Sequence, residues 1–226
     1  VGITSQSSSN IDVSGITGSN VSLLVDAGNS DDLVISNVDI TGDRLLVSNQ
    51  ATSFEISNIS FTRTTSHNTP IIDQNCVGLC NLNDIYISDT LNGIFLSGSG
   101  IHELVNIDTT VLESGIEATG VGHLLATNLS ITTQKSGIKL RGPSSQLLGN
   151  NTVTITQSDS IGIDILDSFH NWSNLIIKKS FNQQDTMSLG VNSWYADIDY
   201  NDLIIENLST GIHLQDSSLN ANKTHI

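Results

Sequence analysis

Apolar residues in this chain fall in short alternating clusters, and the clusters recur. An asparagine followed by an apolar–any–apolar triplet returns about every 21–27 residues, at Asn10, Asn37, Asn58, Asn106, Asn128, Asn151, Asn174 and Asn201, with Asp84 taking the place once. A second element runs in the same phase: Gly93, Gly115, Gly137, Gly162 and Gly211 each precede an isoleucine, and Gly190 precedes Val191. Its spacings of 22, 22, 25, 28 and 21 residues follow the asparagine series. Two elements sharing one period of this size mark a repeat architecture. Residues 136–158 show the unit most clearly. Ile138 and Leu140 flank Lys139, which is strand alternation; Arg141–Ser145 reads as a turn; Gln146–Leu148 is a second short strand; Gly149–Asn151 is a second turn; and Thr152–Ile155 is a third strand.

Three short strands per repeat, stacked on themselves, predict an all-β fold: a right-handed parallel β-helix of about nine rungs, with three short strands in each. Equivalent residues of successive rungs lie about 4.8 Å apart, and parallel crossovers are right-handed. Stacked asparagines can then satisfy one another in an inner turn, where an unpaired amide would be costly. The recurring glycine fits a corner of positive φ. The whole chain, 1–226, reads as one solenoid segment of a longer protein. The wide gap between Asn174 and Asn201 predicts an inserted loop over 178–200.

The run from Gly93 to Ile177, with Gly-Ile-x-Leu, Leu and Asn-apolar-x-apolar in repeated order, resembles the right-handed β-helix repeats of the pectate-lyase-like superfamily. That resemblance implies the fold and leaves the activity open, since the architecture hosts unrelated functions. Polygalacturonases of this superfamily carry Asn-Thr-Asp, a paired Asp, Gly-His-Gly and Arg-Ile-Lys. Here Gly122-His123 is followed by Leu124, Asp31-Asp32 lies far off, and the other two motifs are absent.

Charge narrows the partners. Eight Lys and Arg against 23 Asp and Glu leave a net charge of −15. Such a surface repels nucleic-acid phosphates and anionic headgroups, so neither nucleic-acid binding nor membrane insertion by this segment is expected. No apolar run approaches the roughly 20 residues of a membrane span. Cys76 and Cys80 are four residues apart. They read as a disulfide closing one small loop in an oxidising compartment. With His67 they would make too few ligands for a structural metal site.

Two regions carry candidate chemistry. Outward residues after each Gly-Ile stack on one face: Phe95, Glu117, Lys139, Asp164, Asn192 and His213. Glu117, Lys139 and Asp164 alternate in sign, either as a cross-strand ion-pair series or, together with Arg141, as a catalytic strip. A glycosidase would need a carboxyl of raised pKa, which a lysine between the two acids opposes. A lyase would use Lys139 or Arg141 against an acidic sugar. The second region is aromatic: His170, Trp172, Phe181, Trp194, Tyr195 and Tyr200 fall close together and present flat apolar surface suited to sugar rings. Of these, His170, Trp172, Trp194, Tyr195 and Tyr200 are the expected ligand contacts. No cofactor is required; the acidic set Asp197, Asp199, Asp202 and Glu206 is the one candidate for calcium.

Two functions remain from the sequence. In the first, the chain is a rod-like segment of a secreted or cell-surface adhesin whose partner is a glycan, a surface protein or a second copy of itself. Its Ser/Thr/Asn-rich, cysteine-poor composition resembles the passenger regions of bacterial autotransporter adhesins. The alternative is a polysaccharide lyase or glycoside hydrolase, including a phage tailspike-like depolymerase.

Overall fold

A computed structural model describes residues 2–6, 8–64, 68–142, 144–157, 159–180 and 188–226. Fourteen strands follow one another: β1 (Ile3–Ser5), β2 (Ser8–Val21), β3 (Val25–Gly42), β4 (Leu46–Arg63), β5 (Pro70–Ser97), β6 (Ile101–Thr119), β7 (His123–Thr133), β8 (Ser136–Arg141), β9 (Ser144–Leu148), β10 (Asn151–Ile155), β11 (Ile161–Lys179), β12 (Leu189–Glu206), β13 (Thr210–Gln215) and β14 (Ser218–His225). Every pairing between them is parallel, and each strand pairs with the equivalent stretch about one period on, for example Ile163 with Ile138 and with Val191. The result is a β-solenoid of about nine turns, with no helix among the described residues. The longer strands turn two or three corners, so one strand such as β11 contributes to three faces of the coil.

Alternation decides what is buried. In β10, Val153 and Ile155 are wholly inside while Thr152 and Thr154 are partly exposed. Equivalent inward residues form continuous rows, such as Val38, Ile59, Ile85, Ile107 and Leu129. A solenoid cannot bury one turn alone, so each row supplies the apolar neighbours that its members lack.

The corners correct three sequence expectations. The recurrent asparagine does take a left-handed backbone: Asn37, Asn58, Asp84, Asn106, Asn128, Asn174 and Asp202 all have φ between 49° and 59°. Asparagine and aspartate are the non-glycine residues that tolerate this region best. However, the ladder faces outward. Asn58 Nδ2 donates to Asn37 Oδ1 at 2.8 Å, Asn106 to Asp84 at 2.8 Å and Asn128 to Asn106 at 3.0 Å, all among exposed side chains. The phase also shifts at three copies. Gly15, not Asn10, stands opposite the Asn37 corner, because Ile16 pairs with Val38. By register Asn150 and Asp202 stand opposite the Asn174 corner, since Asn151 pairs with Leu175, which pairs with Leu203; Asp202 is left-handed itself, whereas in the Asn150 turn the left-handed residue is Gly149, with φ at 71°. Asn151 is therefore an interior residue, its amide donating to Leu148 O and accepting from Leu129 N.

The Gly-Ile glycines are the third correction. Gly93, Gly115, Gly137, Gly162 and Gly190 do not have positive φ. They are small because a neighbour occupies the space of a Cβ. A methyl on Gly137 would lie 2.5 Å from Gly162 O and closer still to Val153 Cγ1. Positive φ belongs to the next corner, at Gly98, Gly120, Gly142, Asp167, Tyr195 and Asp216.

The predicted loop over 178–200 narrows. Lys178 and Lys179 end β11, and Leu189–Tyr200 lie in register within β12. Residues 181–187, with Phe181, lie outside the described residues, as does His67.

Candidate functional site

The expected outward row forms as the period requires. Phe95 pairs with Glu117, Glu117 with Lys139, Lys139 with Asp164, Asp164 with Asn192 and Asn192 with His213. Beside it runs a second outward row: Ser97, Thr119, Arg141, Leu166, Trp194 and Gln215. Both lie on the face built by the Gly-Ile strands. Leaving out every second residue, which points inward, makes this face a two-column display.

Ion pairing within it is uneven. Lys139 Nζ lies 3.8 Å from Glu117, with both side chains about one-third exposed. Such a pair contributes roughly 0–1 kcal/mol. Arg141 takes Asp164 instead, binding its Oδ2 through Nη2 and its carbonyl through Nη1 at 3.2 Å. Asn192 Nδ2 donates to the other oxygen, Oδ1, at 2.8 Å, and Asn192 Oδ1 meets His213 Nδ1 at 2.8 Å. Arg141, Asp164, Asn192 and His213 thus form one hydrogen-bonded chain across four turns. Both carboxylate oxygens of Asp164 are engaged, one by Arg141 and the other by Asn192. Glu117, Lys139 and Asp164 are adjacent in register without acting as one group.

The aromatic residues divide by burial. Trp172 is fully buried, and so are His170 and, nearly, Tyr200. Trp172 Nε1 donates to Ser145 Oγ at 2.9 Å; Ser145 Oγ meets His170 Nδ1 at 2.7 Å; and the Trp172 and Tyr200 rings meet edge to face at 5.2 Å. Burial holds the His170 ring down to a pKa of about 4, a backbone bond at Asp167 opposing it, and holds the Tyr200 phenol well above its usual range. These three therefore fill the coil and cannot meet a ligand at its surface. The alternation Ala196, Ile198, Tyr200, with Asp197 and Asp199 between, already turns Tyr200 inward.

Trp194 and Tyr195 remain outside, 36% and 55% exposed. Tyr195 occupies the left-handed corner otherwise held by glycine or aspartate, with φ at 56°. A bulky residue there is strained, a cost of order 1–3 kcal/mol. Trp194 stands over Leu166 in the ladder and beside His213, with ring centroids 6.4 Å apart. Phe169 and Leu166 extend the apolar surface around the same corner. A shallow depression of about 240 Å³ is lined by Arg141, Asp164, Ile165, Leu166, Asn192 and Trp194. The sequence puts Arg141 and Asp164 in one candidate region and Trp194 in the other; the ladder register joins them. Asn192 already stands in the outward row read from the sequence, and Leu166 is recoverable from the same register.

Cys76 and Cys80 form the expected disulfide, with Cα atoms 6.5 Å apart and both side chains buried. The acidic set near the C-terminal end disperses: Asp197 accepts from Ser218, and Asp202 pairs with Lys223 at 3.3 Å. Among the described residues no three His, Cys, Asp or Glu side chains gather closely enough for a metal ion. Among the described residues no helix is long and apolar enough to cross a membrane.

No family model, curated protein or solved structure matches the chain.

Proposed function

We propose that this chain is a rod-like segment of a secreted or cell-surface adhesin, and that it binds a glycan on the face carrying Trp194. The observation that carries the reading is the exposed Trp194 indole set beside a fixed chain of polar groups, Arg141–Asp164–Asn192–His213, over one depression. A sugar ring offers an apolar C–H face to an aromatic plane and hydroxyls at its edge to planar donors and acceptors. Side chains already held by one another lose little rotamer freedom on binding. The strained Tyr195 corner holds a second aromatic at the rim, and strained backbone concentrates at functional positions.

The buried disulfide supports an oxidising, extracellular setting. The repetitive outward surface suits presentation along a rod. Likeness to the pectate-lyase-like superfamily and to autotransporter passengers is architectural and compositional, and the adhesin reading does not need either lineage. A depolymerase centred on Asp164 would have to work with that carboxylate held by Arg141 and Asn192.

Glycan-array binding of the chain and of Trp194→Ala tests this. Binding that is lost at least tenfold in Trp194→Ala, with an unchanged thermal melt, supports it. Binding that survives the substitution, or concentration-dependent self-association lost in its place, overturns the glycan assignment.

A further inference from the structure

A second trough lies on the same face, three to five turns from Trp194, and nothing in the adhesin reading uses it. It has a volume of about 380 Å³ and is lined by Asn68, Pro70, Asp73, Phe95, Ser114 and Glu117, among others. That volume lies within the range of small-molecule sites. Ser97 Oγ donates to Gln74 O at 3.2 Å, which sets the stretch from Pro70 one turn below that of Phe95. Phe95 in turn pairs with Glu117. A phenyl ring therefore sits between two carboxylates, each about 4.8 Å away along the ladder. Asn92 Nδ2 donates to Asn68 Oδ1 at 2.9 Å and closes the rim.

Three features show that the trough is incomplete by itself. Asp73 is half-buried and has no hydrogen-bond partner among the described residues; burial raises its carboxyl above the usual range, with Arg44 pulling it back. Ser114 is only 3% exposed, and its hydroxyl is buried without a partner. A buried hydroxyl left so destabilises the fold. Glu117 has only the loose contact with Lys139 at 3.8 Å.

We infer that this trough binds an organic cation bearing an ammonium group, with the Phe95 ring as its cation–π face and Asp73 and Glu117 as its counter-charges. An ammonium placed over Phe95 gains from the ring quadrupole. It also supplies an opposite charge at the partly desolvated Asp73, where burial outweighs the pull of Arg44. A neutral sugar would add no charge to the distant Arg44 and the loose Lys139 contact that face these carboxylates, and an anion would meet two like charges on a chain of net charge −15. Lys139 competes with the ligand for Glu117, so its removal strengthens binding.

Calorimetric titration at low salt with tetramethylammonium, glucosamine and glucose tests the inference. Tetramethylammonium and glucosamine are expected to saturate one site in the millimolar range, and glucose is not. Phe95→Leu and Asp73→Asn should each weaken both at least tenfold, Lys139→Gln should tighten them severalfold, and Trp194→Ala should change neither. Should Phe95→Leu or Asp73→Asn fail to fold, Phe95→Tyr, which keeps the ring, and Lys139→Gln still decide. Equal binding of glucose, an unchanged affinity in Phe95→Leu, loss of binding in Phe95→Tyr or weaker binding in Lys139→Gln overturns it. Because Trp194→Ala is silent here, failure of this site and failure of the glycan face are read separately.

Discussion

Replacing two glycines of one turn by asparagine separates two reasons for being small. Gly137 has ordinary φ, and a Cβ there would lie 2.5 Å from Gly162 O and closer to Val153 Cγ1. Gly142 has φ at 84°, and a Cβ there would meet nothing within 4 Å. At Gly137 any side chain must push apart two turns that the backbone ladder holds about 4.8 Å apart. Overpacking of this kind costs roughly 1–3 kcal/mol, and the entropy lost from the unfolded chain returns only about 0.4–1 kcal/mol. At Gly142 the left-handed backbone would cost alanine roughly 1–2 kcal/mol, but asparagine tolerates it. Gly137→Asn should therefore be destabilised by about 2 kcal/mol relative to Gly142→Asn. In a chain of this size that is a separation of roughly 4–8 °C in Tm. Thermal unfolding followed by circular dichroism measures it directly. Equal melting of the two variants, or a lower melt for Gly142→Asn, would refute the close-approach argument and restore positive φ as the reason for the Gly-Ile repeat.

Four further outcomes are expected. His102 and His170 are buried with pKa values lowered from 6.5 to about 4. The unfolded chain takes up protons first, so stability is constant above pH 6.5 and falls between pH 6.5 and about 4, by up to about 3 kcal/mol per histidine. Urea midpoints across that range should show it, and His102→Leu, whose ring nitrogens make no well-formed hydrogen bond, should remove part of the slope without lowering stability at pH 7. Asn106→Gly keeps the left-handed corner and loses only the bonds to Asp84 and Asn128, so it should cost about 1 kcal/mol, whereas Asn106→Ala should cost about 1–2 kcal/mol more, by urea titration. Trp172→Ala should cost roughly 3–5 kcal/mol, as the loss of a core side chain, while Trp194→Ala stays within about 0.5–1 kcal/mol in the same assay. Reducing the Cys76–Cys80 bridge, which closes a very short loop, should lower stability by about 2 kcal/mol in denaturant titration.

The architecture was legible because stacking forces a period on the sequence. Two elements per turn, asparagine and Gly-Ile, were enough to number the turns and to list the outward row from Phe95 to His213 correctly. Their physical reasons were not legible. Asparagine and glycine both suit a left-handed corner, and a one-dimensional pattern cannot say which of them sits there. Only the position of Gly162 O and Val153 over Gly137 distinguishes a close approach from a turn. The slipped copies have the same origin. In Asn150-Asn151 and Asn201-Asp202 two neighbouring residues fit the repeat equally well, and the pairing of Leu175 with Asn151 and with Leu203 settles the register.

The candidate site was half legible, for a reason that lies in the strands themselves. Trp172 and Trp194 look alike as members of an aromatic cluster, yet one is fully buried and the other is more than one-third exposed. Alternation assigns them to opposite sides only when the corners are placed, because each left-handed residue resets the parity of the residues after it. Asp167 has φ at 64° and Tyr195 at 56°, so each occupies a corner. Counting from those corners, Ser168 pairs with Ala196 and Trp172 with Tyr200, and Ala196, Trp172 and Tyr200 all fall inside. Counting back from them, Leu166 and Trp194 fall outside, over Arg141. The same operation therefore brings Arg141, Asp164 and Trp194 together and removes His170, Trp172 and Tyr200. A solenoid's surface chemistry is read by aligning turns corner to corner, and residues clustered along the chain matter less than residues one period apart.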